Sequence, residues 1–329
     1  MTHRPVPSDA ATADDSATGS RRRVLRDAAR VGVGALAAWA GTSTAHRAAA
    51  AERRADPVRI VTRQAGPFEV LALLDAHGPF PGRRQDQFPD ARQEDWARAE
   101  RLDPDAFGPG DTWTLDFRCY AVRRPGGRVT LVDTGVGPVG SPASAWAPVP
   151  GHLPAVLELA GIDREDVDSV ILTHLHEDHF GWAVDAAGQP MFPNARHVVQ
   201  RAETAALDED DSATAYVVEP LRRAGLLHEI DGRVRVLGGG GRGGELTAVP
   251  TPGHTAGHQS VLVDGGHQRI VITGDVLVHA VQLAAPPVAY RLESDPAAAR
   301  RSRQALLAEA RRHRALLATS HLNRPFLQS

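Results

Sequence analysis

The segment His174-Leu175-His176-Glu177-Asp178-His179 places three imidazoles and the carboxylate of Asp178 within six positions. It follows directly on Val170-Ile171-Leu172-Thr173, an apolar run that reads as a buried strand. A loop turning just past a strand end can aim His174 and His176 at one point, and Asp178 and His179 at a second. Imidazole and carboxylate together suit Zn²⁺, Mn²⁺, Fe²⁺ or Co²⁺, and no thiolate is offered. Four groups in one loop cannot close two metal sites, so more must come from elsewhere. The chain has candidates at three later strand ends: His254 in Thr251-Pro252-Gly253-His254-Thr255, Asp275 in Thr273-Gly274-Asp275, and His321 in Thr319-Ser320-His321. With two oxygens, Asp275 can bridge two cations.

In this order, Thr-His-x-His-x-Asp-His, Pro-Gly-His-Thr, Gly-Asp and a late His resemble the metallo-β-lactamase-fold hydrolases. Leu131-Val132-Asp133-Thr134-Gly135 matches the turn that precedes their main motif. The resemblance runs from about Phe68 to Phe326. It implies an α+β fold, a four-layer αββα sandwich of two mixed β-sheets with outer helices. It also implies two divalent metal ions, Zn²⁺ first, with Mn²⁺, Fe²⁺ or Co²⁺ acceptable to the same ligands. His174, His176 and His254 would hold one ion, Asp178, His179 and His321 the other, and Asp275 would bridge them. Asp133 would orient a ligand histidine from behind. The implied reaction is hydrolysis of a small ester-, lactone- or phosphotriester-type substrate by a metal-bridging hydroxide, with Asp178 delivering a proton to the leaving group.

Phe192-Pro193-Asn194-Ala195, Arg201-Ala202-Glu203 and Gly257-His258-Gln259-Ser260 look closest to the lactonase and methyl-parathion-hydrolase branch. Asp275 stands where β-lactam-hydrolysing relatives with a cysteine ligand need Cys, and His176 where flavodiiron proteins place a carboxylate. Val278 occupies a position where quorum-quenching lactonases commonly carry Tyr, which argues against a homoserine-lactone substrate. His279 beside it reads either as a partial substitute or as a polar residue at the pocket edge. His258 and His152 are further candidates for the pocket surroundings. Two alternatives stand beside this reading: a glyoxalase-II-like thioester hydrolase, and a non-catalytic exported metal-binding protein. The second would be expected to lose Asp178 or His321, and both are present.

The elements that must carry these residues show as short apolar runs and helical patterns. Strands are expected at 68–74, 112–122, 128–132, 169–173, 195–200, 233–237, 245–249, 259–263, 269–273 and 315–319. Helices are expected at 153–160, near 180–187, at 213–224 and at 296–313, the last with Asp295 as N-cap and Pro296 in first position. Residues 77–111, rich in Pro, Gly and charges and carrying Phe80, Phe88, Trp96 and Phe107, read as a long irregular, lid-like insertion.

All basic residues are Arg and the net charge is -3, so no concentrated basic surface for nucleic acid is indicated. The one cysteine, Cys119, permits no internal disulfide and lies in an alternating apolar run as a small core residue. Residues 1–19 have the composition of a disordered segment. Ser20-Arg21-Arg22-Arg23-Val24-Leu25, a weakly apolar run at 31–40 and small residues to Ala51 resemble a twin-arginine export signal, cleaved near Ala45 or Ala50. That run is too short for a stable membrane anchor. The expected organisation is a disordered N-terminus and export signal over 1–50 and one hydrolase domain over 51–329. Its expected setting is periplasmic or extracellular and its expected partner a small-molecule substrate.

Overall fold

The computed structural model describes residues 59–238 and 244–329. Among these, β1 (Ile60–Ala65), β2 (Phe68–Arg83), β3 (Thr112–Arg123), β4 (Val129–Val132), β5 (Val167–Ile171), β6 (Arg196–Gln200) and β7 (Leu227–Ile230) form one sheet in that spatial order. Strands β1 to β4 pair antiparallel and β4 to β7 parallel. A second sheet holds β8 (Val234–Gly238), β9 (Glu245–Pro250), β10 (Gln259–Asp264), β11 (Arg269–Ile272), β12 (Leu316–Ala318) and β13 (Phe326–Gln328). It is antiparallel except for the parallel pair β11–β12. Both sheets are therefore mixed.

Side chains of a strand alternate between faces, so a strand covered on both sides must be apolar at every position. Strands β2 and β3 obey this over residues 70–74 and 119–122. Val70, Ala72, Tyr120 and Val122 pack between the sheets against Leu246, Ala248, Val261, Val263, Ile270 and Ile272. Their neighbours Leu71, Leu73, Cys119 and Ala121 point the other way, onto Leu153, Val156, Leu157, Val217 and Leu221 from the helical segments outside. On the far side of the second sheet, Leu306, Leu307 and Ala310 of the helix Pro296–Arg312 cover Val271 and Leu317. Asp295 caps that helix as expected, accepting from Ala297 and Ala298 N–H at 3.0 and 2.9 Å. The layers run helix, sheet, sheet, helix.

Two expectations need correction. The helix near 180–187 is absent beyond Phe180, where Glu177–Phe180 ends. The Asp185 carboxylate accepts from Ala187 and Gln189 N–H at 2.8 and 2.9 Å, and this turn displaces the helical pattern. Residues 77–111 are not an irregular loop. Strand β2 runs on to Arg83, followed by helices Arg84–Gln87 and Gln93–Leu102 and two short 3₁₀ turns. The cause is aromatic burial: Phe88, Trp96, Phe107 and Trp113 all pack on the ring of His279, with centroids 5.3–5.5 Å away.

Candidate metal centre

Each candidate residue leaves a strand at the same kind of place. Asp133 follows β4, His174 follows β5, His254 follows β9, Asp275 follows β11 and His321 follows β12. The first sheet thus brings His174, His176, Asp178 and His179, and the second brings His254, Asp275 and His321. They converge as two groups, one of His174, His176, His254 and Asp275, the other of Asp178, His179 and His321. Asp275 lies between them. Its Oδ2 is 3.2 Å from His254 Nε2 and 3.8 Å from His174 Nε2, while its Oδ1 is 3.3 Å from His179 Nε2 and 3.1 Å from His321 Nε2. Asp178 Oδ2 is 3.5 Å from the Nε2 atoms of both His179 and His321.

The hydrogen bonds behind the rings fix which nitrogen faces inward. Asp133 accepts from Thr173 N–H (2.7 Å), from Thr173 Oγ1 (2.9 Å) and from His179 Nδ1 (2.9 Å). Since the Thr173 hydroxyl gives its hydrogen to Asp133, it accepts from His174 Nδ1 at 3.0 Å. His321 Nδ1 donates to the Asp116 carbonyl at 2.9 Å. Three imidazoles therefore spend their Nδ1 hydrogens outward and aim Nε2 at the centre.

Inside, polar atoms meet without ordinary partners. His174 Nε2 and Asp275 Oδ1 are buried with no hydrogen bond. His254 Nε2 faces His176 Nδ1 at 2.9 Å, and His179 Nε2 faces His321 Nε2 at 3.3 Å. Buried polar atoms are rarely left so, and converging nitrogen lone pairs and carboxylate oxygens are what a divalent cation requires. The donors fit a dinuclear site.

Charge follows the same layout. Burial, then the neighbouring imidazoles His179 and His176, pull His174 well below the ordinary histidine range. Burial also pulls on His179, but Asp275, Asp178 and Asp133 outweigh it and hold this ring well above that range. His321 is raised likewise, burial being overcome by Asp275 and Asp178. Burial opposes ionisation of Asp275, yet His321, His179 and His254 hold it well below the usual carboxylate range.

Several supporting roles had no sequence signal, because the partners are distant along the chain. Buried Glu203 accepts from Leu175 N–H (2.9 Å), Thr255 Oγ1 (2.7 Å) and Gly257 N–H (2.8 Å), tying the loops of His174 and His254 together. The Tyr290 ring lies parallel to that of His254, 6° between planes and 6.0 Å between centroids. Phe117 stands edge-on to His321, Trp146 leans on Phe117 and Phe80, and the Trp146 indole donates to Glu177 at 2.6 Å. An apolar wall thus borders the site.

The remaining candidates fall as follows. His258 lies under the site, its ring 5.1 Å from that of His174, and burial pushes it down to about 3. His279 is neither a Tyr substitute at a pocket edge nor exposed. It is buried in its aromatic cage, where Nδ1 accepts from Val281 N–H at 3.0 Å at the start of helix Ala280–Ala284. His152 is exposed at the start of helix Leu153–Leu159, outside both groups. Cys119 is a buried core residue whose thiol burial pushes far up.

Residues 118–321 match the family profile described as the metallo-beta-lactamase superfamily. Among curated proteins, an N-acyl homoserine lactonase AttM of Rhizobium radiobacter is 31% identical over 175 residues, 47% of this chain and 62% of that protein. Another, from Azorhizobium caulinodans, is 38% identical over 116 residues, 33% of this chain and 40% of that protein. The matched part is thus less than two thirds of either relative. Among solved structures, the dizinc quorum-quenching lactonase AidC in complex with a product has a TM-score of 0.64 at 20% identity, covering 81% of this chain and 91% of that one. A hydrolase of the beta lactamase superfamily, AbOPH, has a TM-score of 0.65 at 24% identity, covering 82% and 92%. Both likenesses are of fold.

Proposed function

Since the chain belongs to the metallo-β-lactamase superfamily, we propose that it is a dinuclear metal-dependent hydrolase of a small lactone, ester or phosphotriester. The observation that carries this reading is Asp275, which presents one oxygen to each of two histidine groups. Two divalent cations bound there would supply a Lewis acid and a water acidified to near-neutral pKa. His174, His176 and His254 would hold one cation and Asp178, His179 and His321 the other.

The chain's own part is positioning and proton handling. Asp133, Thr173 and the Asp116 carbonyl hold the inward rings in one tautomer and orientation. Asp178 lies at the edge of its group, 9% exposed, where its carboxyl can carry a proton to a departing oxygen. Phe117, Trp146 and Phe80 keep bulk water from one side of the site. Lactones stand first because curated relatives are named as lactonases, with Val278 in place of the commoner Tyr counting against the homoserine kind.

Purified protein should carry about two transition ions per chain. Asp275→Ala should bind fewer and lose hydrolysis across a panel of a lactone, an aryl ester, an aryl phosphotriester and an acyl thioester. Metal-free wild type, or full activity in the variant, would contradict the reading. The panel also separates the thioester alternative, and two bound ions with no turnover would favour a metal-binding protein without catalysis.

A further inference from the structure

The loop Thr273-Gly274-Asp275 is gripped on both sides of its glycine by one closed run of side chains. On one side, Asp275 N–H donates to His258 Nε2 at 2.9 Å. On the other, the Thr273 carbonyl accepts from Ser260 Oγ at 2.9 Å. Between them, His258 Nδ1 meets Thr251 Oγ1 at 2.8 Å, and Thr251 Oγ1 meets Ser260 Oγ at 3.0 Å. Only one polarity satisfies every link. Ser260 must give its hydrogen to the carbonyl, so Thr251 gives its own to Ser260. His258 Nδ1–H then donates to Thr251, which leaves Nε2 as the acceptor that an N–H requires. All three side chains are buried. Gly274 adopts φ +51°, and a Cβ there would fall 2.7 Å from His258 Nε2 and 2.9 Å from Thr173 Cβ. The loop therefore cannot close on His258 with any other residue at 274.

We propose that His258 is a positioning residue: through Thr251 and Ser260 it fixes the peptide on which Asp275 rides, and so the angle at which one carboxylate serves both histidine groups. This rests on the metal-centre reading above. Asp275 has no side-chain anchor other than the rings it faces, since its Oδ1 makes no hydrogen bond among the described residues. Its backbone is what the fold can hold, and this relay holds it.

The test is a cobalt(II) titration of the full chain after chelation, followed by the visible d–d spectrum of the loaded protein. Wild type, His258→Phe, His258→Gln and Thr251→Val are compared, with thermal melts of the metal-free proteins. Loss of a hydrogen-bonded support behind a metal site typically costs about 10–100-fold in affinity. His258→Phe should lose that much for at least one cobalt and change the spectrum. His258→Gln, which offers an acceptor and a donor, should recover most of it. Thr251→Val cuts the relay one link away and should shift affinity the same way by a smaller factor, so the idea stays testable if His258→Phe fails to fold. Wild-type affinity and spectrum in folded His258→Phe, or in Thr251→Val if that protein alone folds, overturn the proposal and leave the metal reading standing. A wild type that binds no cobalt overturns both.

Discussion

His179 and His321 hold their rings' inner nitrogens against a cluster of carboxylates, and this decides how the centre answers to pH. Asp275 and Asp178 raise both histidines above their ordinary value against the pull of burial. In the metal-free protein both rings therefore hold a proton more tightly than an ordinary imidazole does. A cation needs the same lone pairs, so metal and proton compete, and uptake strengthens as pH rises. Each proton displaced should cost about tenfold in affinity per pH unit lowered. Zinc titrations at pH 6, 7 and 8, with calorimetry in two buffers of different ionisation enthalpy, should show falling affinity at low pH and net proton release. Constant affinity with no release would show that the rings are already unprotonated. Asp178 and His179 were legible in the sequence because they cluster locally after an apolar strand, and Asp275 and His321 because each follows a later strand end in the order of a family resemblance. The roles of Glu203, Tyr290 and the Asp116 carbonyl were not, since each acts across contacts that spacing does not encode.

At the scale of elements, short continuous apolar runs revealed the central strands, whose two faces are both covered. Strands β1, β7 and β13 escaped notice because each is short and half exposed, with mixed polar composition such as Ile60-Val61-Thr62-Arg63. Strand β2 carries a feature that no periodicity announces. Its register with β3 shifts between Leu74 and Ala76, leaving Asp75 as an extra residue turned out of the ladder. The buried Asp75 carboxylate accepts from Val136 N–H (2.7 Å), Leu153 N–H (2.6 Å) and Trp182 Nε1 (3.1 Å), fastening three loops beside the site. Every partner is a donor, so Asp75→Asn should destabilise by about 1–3 kcal/mol at neutral pH. Burial, against those hydrogen bonds, pushes this carboxyl from 3.8 up to about 6. A raised carboxyl pKa penalises the folded state once ionised: the penalty is absent below pH 4 and complete above pH 6. Wild type should therefore gain about 2 kcal/mol between pH 7 and pH 4. The asparagine variant lacks this term, so the gap between them should widen as pH falls. Urea unfolding of the metal-free proteins over this range measures it; a constant or shrinking gap would show that Asp75 is not held near 6.

For the whole molecule, residues 1–58 lie outside the described part, and the export reading falls there. We propose that Arg21 and Arg22 direct twin-arginine export, supported by their setting before Val24-Leu25 and a short apolar run. Full-length protein expressed in a bacterium should be shortened at its N-terminus and recovered outside the cytoplasm. Arg21→Lys combined with Arg22→Lys should leave it unprocessed inside. Unchanged export in that double variant would refute the signal. Among the described residues no helix is long and apolar enough to cross a membrane. The position of the centre has one more consequence. Four of its seven candidate ligands descend from the first sheet and three from the second, so a cation bound there would staple the two sheets together. In a protein whose one cysteine rules out an internal disulfide, that staple would be the cross-link: a cation on Asp178, His179 and His321 would close the long stretch from Asp178 to His321 and remove freedom from the unfolded chain, as a disulfide spanning the same stretch would. The grip cannot form until His321, the last of these ligands along the chain, has been made and folded against β12.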